Sequence, residues 1–206
     1  MKVLMINGSP HARGSTYTAL HYVEQELNQQ GVETEIFHIG SAPVQGCTGC
    51  RVCRSSSPRR CVFDDSVNLC AEKIAQSDGL VIGSPVHYSG IAGGMKAFCD
   101  RLFYLAPDLR YKPLAAVSVL RRSGGVATFD QLNHYLTYTE GFIVTSRYWN
   151  VVHGASPEDI PQDEEGVLIM RQLGRNMAYL LHVLNSGKNA VECPEELPRV
   201  RTNFVR

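Results

Sequence analysis

The chain carries no surplus of charge of either sign: 20 basic residues balance 20 acidic ones over 206 positions. A dedicated nucleic-acid binder usually has a basic surplus on one face. The pairs Arg59-Arg60 and Arg121-Arg122 are too short to supply one. No segment approaches the ~18 apolar residues of a membrane span. The opening run Val3-Leu4-Met5-Ile6 turns polar too soon for a signal-peptide core. The expectation is therefore a protein of the reducing cytoplasm, with no nucleic-acid partner and no membrane. There, cysteines serve as thiols, metal ligands or redox groups rather than disulfides. Internal repeats and low-complexity tracts are absent as well. Two phosphate signatures are also missing. Walker A needs four residues between its glycines and then Lys, whereas Gly8 and Gly14 enclose five and Ser15 follows. The fingerprint G-x-G-x-x-G does not occur after the first strand.

What is present is an alternation of strand and helix that suits one domain over residues 1–206. Val3-Leu4-Met5-Ile6 is a continuous apolar run, as in a central parallel strand covered on both faces. Leu20, Val23 and Leu27 then recur at helical spacing, with Gly31 as a stop. Residues 32–37 alternate as a second strand, and 40–65 show no periodicity. Ser66 is placed to cap a helix bearing Val67, Cys70 and Ile74. Residues 79–83, 114–119 and 142–144 supply three further strands, with a helix over 95–103 between the first two. A last long helix carries Leu173, Met177, Leu180 and Leu184, and an irregular tail begins at Gly187. Five alternating strands imply a flavodoxin-like α/β three-layer sandwich with a five-stranded parallel sheet in the order 2-1-3-4-5. Its ligand crevice lies where the loops after strands 1 and 3 meet.

Those loops are the unusual ones. After strand 1, Ser9, His11, Arg13, Gly14, Ser15 and Thr16 gather hydroxyls and cations at an incoming helix N-terminus. Unpaired N–H groups there favour an anion. Such a loop suits a monophosphate held without Mg²⁺, as FMN carries; Ser15 serving only as a helix cap is the other reading. After strand 3, Pro85, Val86, His87, Tyr88, Ser89 and Gly90 offer a rigid turn, aromatic surface and glycine, the parts of a slot for a flat isoalloxazine. His87 and Tyr88 would equally serve as rim packing. After strand 4, Ser123, Gly124 and Gly125 place N–H groups where a flavin N1/O2 edge would lie, or form a plain loop. Tyr148 and Trp149 either cover the ring or pack in a core or a dimer.

Three segments together resemble the NADPH-dependent FMN reductase family within the flavodoxin-like fold. They are Asn7-Gly8-Ser9-Pro10 with Gly14-Ser15-Thr16, then Cys47-Thr48-Gly49-Cys50 with Cys53, Cys61 and Asp64-Asp65, and Gly83-Ser84-Pro85-Val86-His87-Tyr88 with Lys96-Ala97-Phe98-Cys99-Asp100-Arg101. The resemblance implies FMN with its phosphate at Ser9, His11, Ser15 and Thr16, and its ring against 85–90 and 123–125. It also implies a homodimer or homotetramer, NAD(P)H as donor, and a quinone, azo, flavin or metal-complex acceptor. No protein acid or base is needed for hydride transfer to flavin, so no catalytic side chain is expected. The spacing Cys47-x2-Cys50-x2-Cys53-x7-Cys61 resembles the iron–sulfur flavoprotein branch, whose compact motif holds a [4Fe-4S] cluster. Four thiolates are the right donors for one. The spacing departs from the ferredoxin run and lacks the two separated C-x2-C pairs of a zinc site, so free thiols are the competing reading. On this basis a reductase ranks first and a cluster-bearing electron carrier second.

Overall fold

In a computed structural model of the chain, residues 1–198, 200, 202 and 204 are described. The expected irregular tail includes 199, 201, 203, 205 and 206, which lie outside the described residues. Strand β1 (Lys2–Asn7) pairs in parallel with β2 (Glu33–His38) and with β3 (Gly79–His87). Beyond β3 lie β5 (Pro113–Leu120) and β6 (Phe142–Ile143), giving the order β2-β1-β3-β5-β6. Continuous apolar runs form the central strands β1, β3 and β5 because both of their faces are covered. Leu4, Ile6, Leu80 and Ile82 face one hydrophobic cluster, while Val3, Met5 and Val81 face the other. The first cluster is closed by α3 (Ser66–Ala75), α4 (Gly93–Tyr104) and α5 (Gly125–Leu136). The second is closed by α1 (Ser15–Gln29) and α6 (Glu164–Gly187). Among the described residues no helix is long and apolar enough to cross a membrane.

The sheet has seven strands where five were expected, for two local reasons. β3 runs on to His87 and turns back as β4 (Gly90–Ile91), an antiparallel return arm. The last expected strand, 142–144, is divided: β6 pairs with the start of β5, and β7 (Val151–His153) with its end. Between them the chain leaves the edge, and buried Asn150 fills the gap. Its Nδ2 donates to the Ala116 carbonyl at 3.0 Å, and its own carbonyl accepts from Ser118 N–H at 3.0 Å. A side chain thus satisfies the Ala116 carbonyl, while the Ser118 N–H keeps a backbone acceptor, the Asn150 main-chain carbonyl.

Capping also differs from expectation. α3 is capped by Asp65, whose carboxylate accepts from Val67 N–H at 3.1 Å, while the Ser66 hydroxyl donates to the Ile39 carbonyl at 3.0 Å. One turn of helix, α2 (Val52–Ser55), breaks the stretch that showed no periodicity. In α6, Leu173 and Met177 are buried as their spacing requires.

α1 and α6 cross closely at Gly174, where an added Cβ would lie 2.8 Å from Glu26 Cβ and from the Val23 carbonyl oxygen. Glu26, 1% exposed, accepts there from Arg171 Nη1 and from Arg175 Nε, both at 2.7 Å. Burial works to raise its pKa, but the two guanidiniums outweigh burial and hold the carboxyl below its ordinary value. The unfolded chain therefore binds the extra proton first. The stabilisation is whole above the ordinary glutamate pKa of about 4.3 and is lost as pH falls through the lower folded value. Glu26→Gln should lower unfolding free energy at neutral pH by about 1–3 kcal/mol. The deficit should shrink in denaturant titrations repeated toward acid pH; a deficit independent of pH would show that the charge is irrelevant.

Candidate flavin and cysteine sites

The β1–β3 ladder ends at the pair Asn7 and Gly83, where β1 stops and β3 runs on to His87. Gly8 N–H donates to the Gly83 carbonyl at 2.8 Å, and a Cβ at Gly8 would lie 2.5 Å from Met95 Sδ. Only glycine allows that approach, and it sends the two following loops apart around a crevice. The first loop is stiffened by Asn7, buried at the strand end, which donates to the Ala12 carbonyl and accepts from Ser9 N–H, each at 3.1 Å. Ser9 Oγ accepts from His11 N–H at 3.1 Å, and the Ser9 carbonyl meets His38 Nε2 at 2.8 Å. Ser9 and Thr16 are buried, Ser15 half-buried, and His11 and Arg13 exposed. The Arg13 guanidinium lies 5.3 Å from the Tyr17 ring centroid. Ser15 is the first residue of α1 and not its cap: the cap is Gly14, with no side-chain bond.

α1, α4 and α5 all begin without a side-chain cap and without an acidic residue in the first turn. α3 and α6, by contrast, are closed by Asp65 and Asp163. The open ends follow the crevice loops. Their free N–H groups and positive dipole ends suit an anion at α1 and a polar ring edge at α5.

Pro85 and Val86 belong to β3 and not to a turn; the turn is Tyr88-Ser89, with φ of 50° and 58°. Both residues are left-handed, the geometry of a two-residue hairpin that usually takes Asn-Gly. Strain of this kind gathers at binding sites. Tyr88 is fully exposed, as are most of the His87 and Ser89 side chains, while Gly90 is half-buried beside Gln131. Gly124, at φ 92°, presses on this turn, since a Cβ there would lie 2.6 Å from Ser89 Cα. The structure thereby brings 85–90 and 123–125 together. Ser123 is exposed and Gly125 is buried beneath it. Tyr148 and Trp149, ring centroids 4.6 Å apart, are exposed on the β7 side of Gly124-Gly125. They border a cleft of about 380 Å³ that also takes in Arg122 and His153.

Cys47, Cys50, Cys53 and Cys61 line one small pocket with Arg101 and Tyr104. Left-handed Gly49 and Arg51, φ 67° and 63°, turn the chain between the first three. Cys53 is buried in α2, and burial, with Cys61 and Cys50 nearby, pushes its thiol pKa up. Cys61 is clamped by buried Asn68, which accepts from its N–H at 2.8 Å and donates to its carbonyl at 3.1 Å. Among the described residues no three donors converge on a single metal ion. A cube of iron and sulfide is a different case, because its thiolates sit apart at the corners. The space between the side chains is about 20 Å³, room for little more than one water. Holding a cluster would thus need the exposed Cys47–Cys50 arm to open outward. Cys70 and Cys99 are buried, with thiol pKa values pushed up by burial.

Asn7, His38, Met95, Asn68 and Arg101 were not singled out from sequence. A polar residue ending an apolar strand, as Asn7 does, was a signal available to find one of them.

Residues 1–156 match the NADPH-dependent FMN reductase family. An iron–sulfur flavoprotein of Methanocaldococcus jannaschii is 29% identical over 89% of this chain and 99% of its own. An FMN reductase (NADPH) of Pseudomonas putida is 29% identical over 50% of this chain and 47% of its own. The solved structure of RosB with bound 8-demethyl-8-formylriboflavin-5′-phosphate superposes with a TM-score of 0.69 and 15% identity, covering 100% of this chain and 92% of that one.

Replacing both Ser15 and Thr16 with Ala should strip FMN while leaving the fold, because their hydroxyls stand at the open end of α1. Each lost charge-assisted bond costs about 1.5–3 kcal/mol, roughly tenfold to a hundredfold in affinity. Flavin absorbance after dialysis, unchanged in the double variant, would refute the phosphate assignment.

Proposed function

The chain belongs to the NADPH-dependent FMN reductase family, and from that footing we propose an FMN-dependent oxidoreductase that draws electrons from NAD(P)H and carries a [4Fe-4S] cluster on Cys47, Cys50, Cys53 and Cys61. The observation that carries this reading is the convergence of all four thiols on one pocket. Bound FMN supplies hydride acceptance and electron release, and a cluster supplies one-electron capacity. The protein's own part is placement. The open end of α1, with Ser9, Ser15 and Thr16, holds the phosphate; His11 and Arg13 add charge from the rim. Pro85, Val86, His87, Tyr88, Ser89 and Gly90 wall the ring, and the N–H groups of Gly124 and Gly125, beside Ser123, meet its polar edge. No side chain is given an acid or base role. A homodimer or homotetramer in the cytoplasm completes the proposal, consistent with the exposed Tyr88, Tyr148 and Trp149 beside the slot.

The rival is a plain reductase, FMN without iron, passing electrons to a quinone, azo or flavin acceptor. Two measurements separate them. Anaerobically purified protein should contain about four iron atoms per chain, the number in the proposed cluster. Cys50→Ser, at an exposed position, should lose the iron and keep FMN; full flavin with no iron would leave the plain reductase standing. If NAD(P)H and a small acceptor use one exposed flavin face in turn, double-reciprocal plots should be parallel. Intersecting lines would mean that both bind at once.

A further inference from the structure

Among the described residues Arg101 is the one arginine with its side chain essentially removed from solvent, 1% exposed, and every acceptor it finds lies within residues 45–65. Nη1 and Nη2 hold the Asp65 carboxylate at 2.5 and 2.9 Å, which already balances the charge. Nη1 also reaches the Gln45 carbonyl and Nη2 the Phe63 carbonyl, each at 3.3 Å. The remaining side of the fork, Nε and Nη2, is aimed at a single atom, Cys61 Sγ, at 3.3 and 3.2 Å. A guanidinium needs neither bond for its charge, and a carbonyl would satisfy Nε better than sulfur does. Two N–H donors converging on one cysteine sulfur form the arrangement by which proteins tune a cysteine-bound redox centre.

We propose that Arg101 is the positioning residue of the cysteine site, fixing Cys61 as the anchored ligand and raising the reduction potential of the cluster. The inference rests on the cluster-bearing reading above. Cys61 is the ligand that sequence spacing constrains least, with seven residues between it and Cys53. Asn68 of α3 fixes its backbone and Arg101 of α4 its sulfur, so two helices place it before iron arrives. Adding one electron to the cluster adds one negative charge shared with its thiolates. Two N–H donors from a buried cation on one thiolate stabilise that charge, and their removal favours the oxidised state. Lysine keeps the charge but lacks the fork, so it cannot serve Cys61 and Asp65 together.

The test uses full-length, anaerobically purified protein and has two arms. Arg101→Gln and Arg101→Lys are compared with wild type for iron per chain, FMN per chain and cluster midpoint potential in a dithionite titration. Gln should leave FMN in place, lower iron occupancy, and shift the reduction equilibrium of the remaining cluster at least tenfold toward the oxidised form. That shift is about 59 mV more negative for one electron. Lys should recover part of the shift. Full iron at an unchanged potential in Arg101→Gln would overturn the proposal. The second arm needs no variant, and decides the matter if the substitutions prevent folding. Wild-type protein grown on guanidino-¹⁵N arginine and reduced should show ¹⁵N coupling to the cluster in pulsed electron paramagnetic resonance. Iron-loaded protein without that coupling would overturn the role of Arg101 alone, whereas iron-free wild type would remove the cluster reading and the inference with it.

Discussion

The hydrogen bond from Gly8 N–H to the Gly83 carbonyl, 2.8 Å long, closes the β1–β3 ladder at the point where β1 ends and β3 runs on toward its hairpin. No side chain fits there, since a Cβ on Gly8 would meet Met95 and the Gly83 oxygen together. With that contact fixed, the chain after β1 departs toward α1 on one face of the sheet, and the chain after β3 departs toward β4 and α4 on the other. The crevice between them is a consequence of strand order and not of any one loop. It follows that the loop from Ser9 to Thr16 and the Tyr88-Ser89 hairpin share one origin. A shift at Gly8 would move Met95, hence α4, as well as the start of α1.

Helix ends divide by charge around that crevice. α3 and α6 neutralise their own N-termini with Asp65 and Asp163, whereas α1, α4 and α5 leave theirs open. An uncapped end forgoes roughly 1 kcal/mol of stabilisation. Three such open ends follow the loops after β1, β4 and β5, while the closed end of α6 borders the cleft at Gly124-Gly125 through Asp163; the open ends fit a protein stabilised further by what it binds. The left-handed Tyr88-Ser89 pair adds strain at the same place.

The layered core was legible because its signal is one of pattern. Val3-Leu4-Met5-Ile6 reads as a doubly covered strand whatever surrounds it, and Leu173 with Met177 reads as a helix face. The split last strand was not legible, because it depends on the Asn150 side chain meeting one ladder carbonyl, that of Ala116, 34 residues away. Pro85-Val86 read as a turn because proline and glycine punctuate that stretch. Pairing of Val86 with Ile91 moved the turn to Tyr88-Ser89, a pair with neither the Asn nor the Gly usual at two left-handed hairpin positions. At the cysteine segment, type and spacing singled out four thiols, and the structure brings them to one pocket. What positions them, Asn68 and Arg101, sits on helices whose sequences announce only packing.

α4 ties the two candidate sites into one mechanical unit. Its N-terminal end follows the ring hairpin directly, where Ala92 N–H donates to Ser84 Oγ at 3.2 Å. Arg101, in its last turn, holds Cys61 and Asp65. A helix of 12 residues spans about 18 Å, and Met95, Phe98 and Leu102 bury it against the sheet without exposure. Its ends therefore cannot move independently. The separation between the flavin slot and the anchored cysteine is set by a buried rod, while the exposed Cys47–Cys50 arm is held by no comparable contact. Any opening of the cysteine pocket must consequently come from that arm, with Cys61 as its fixed side.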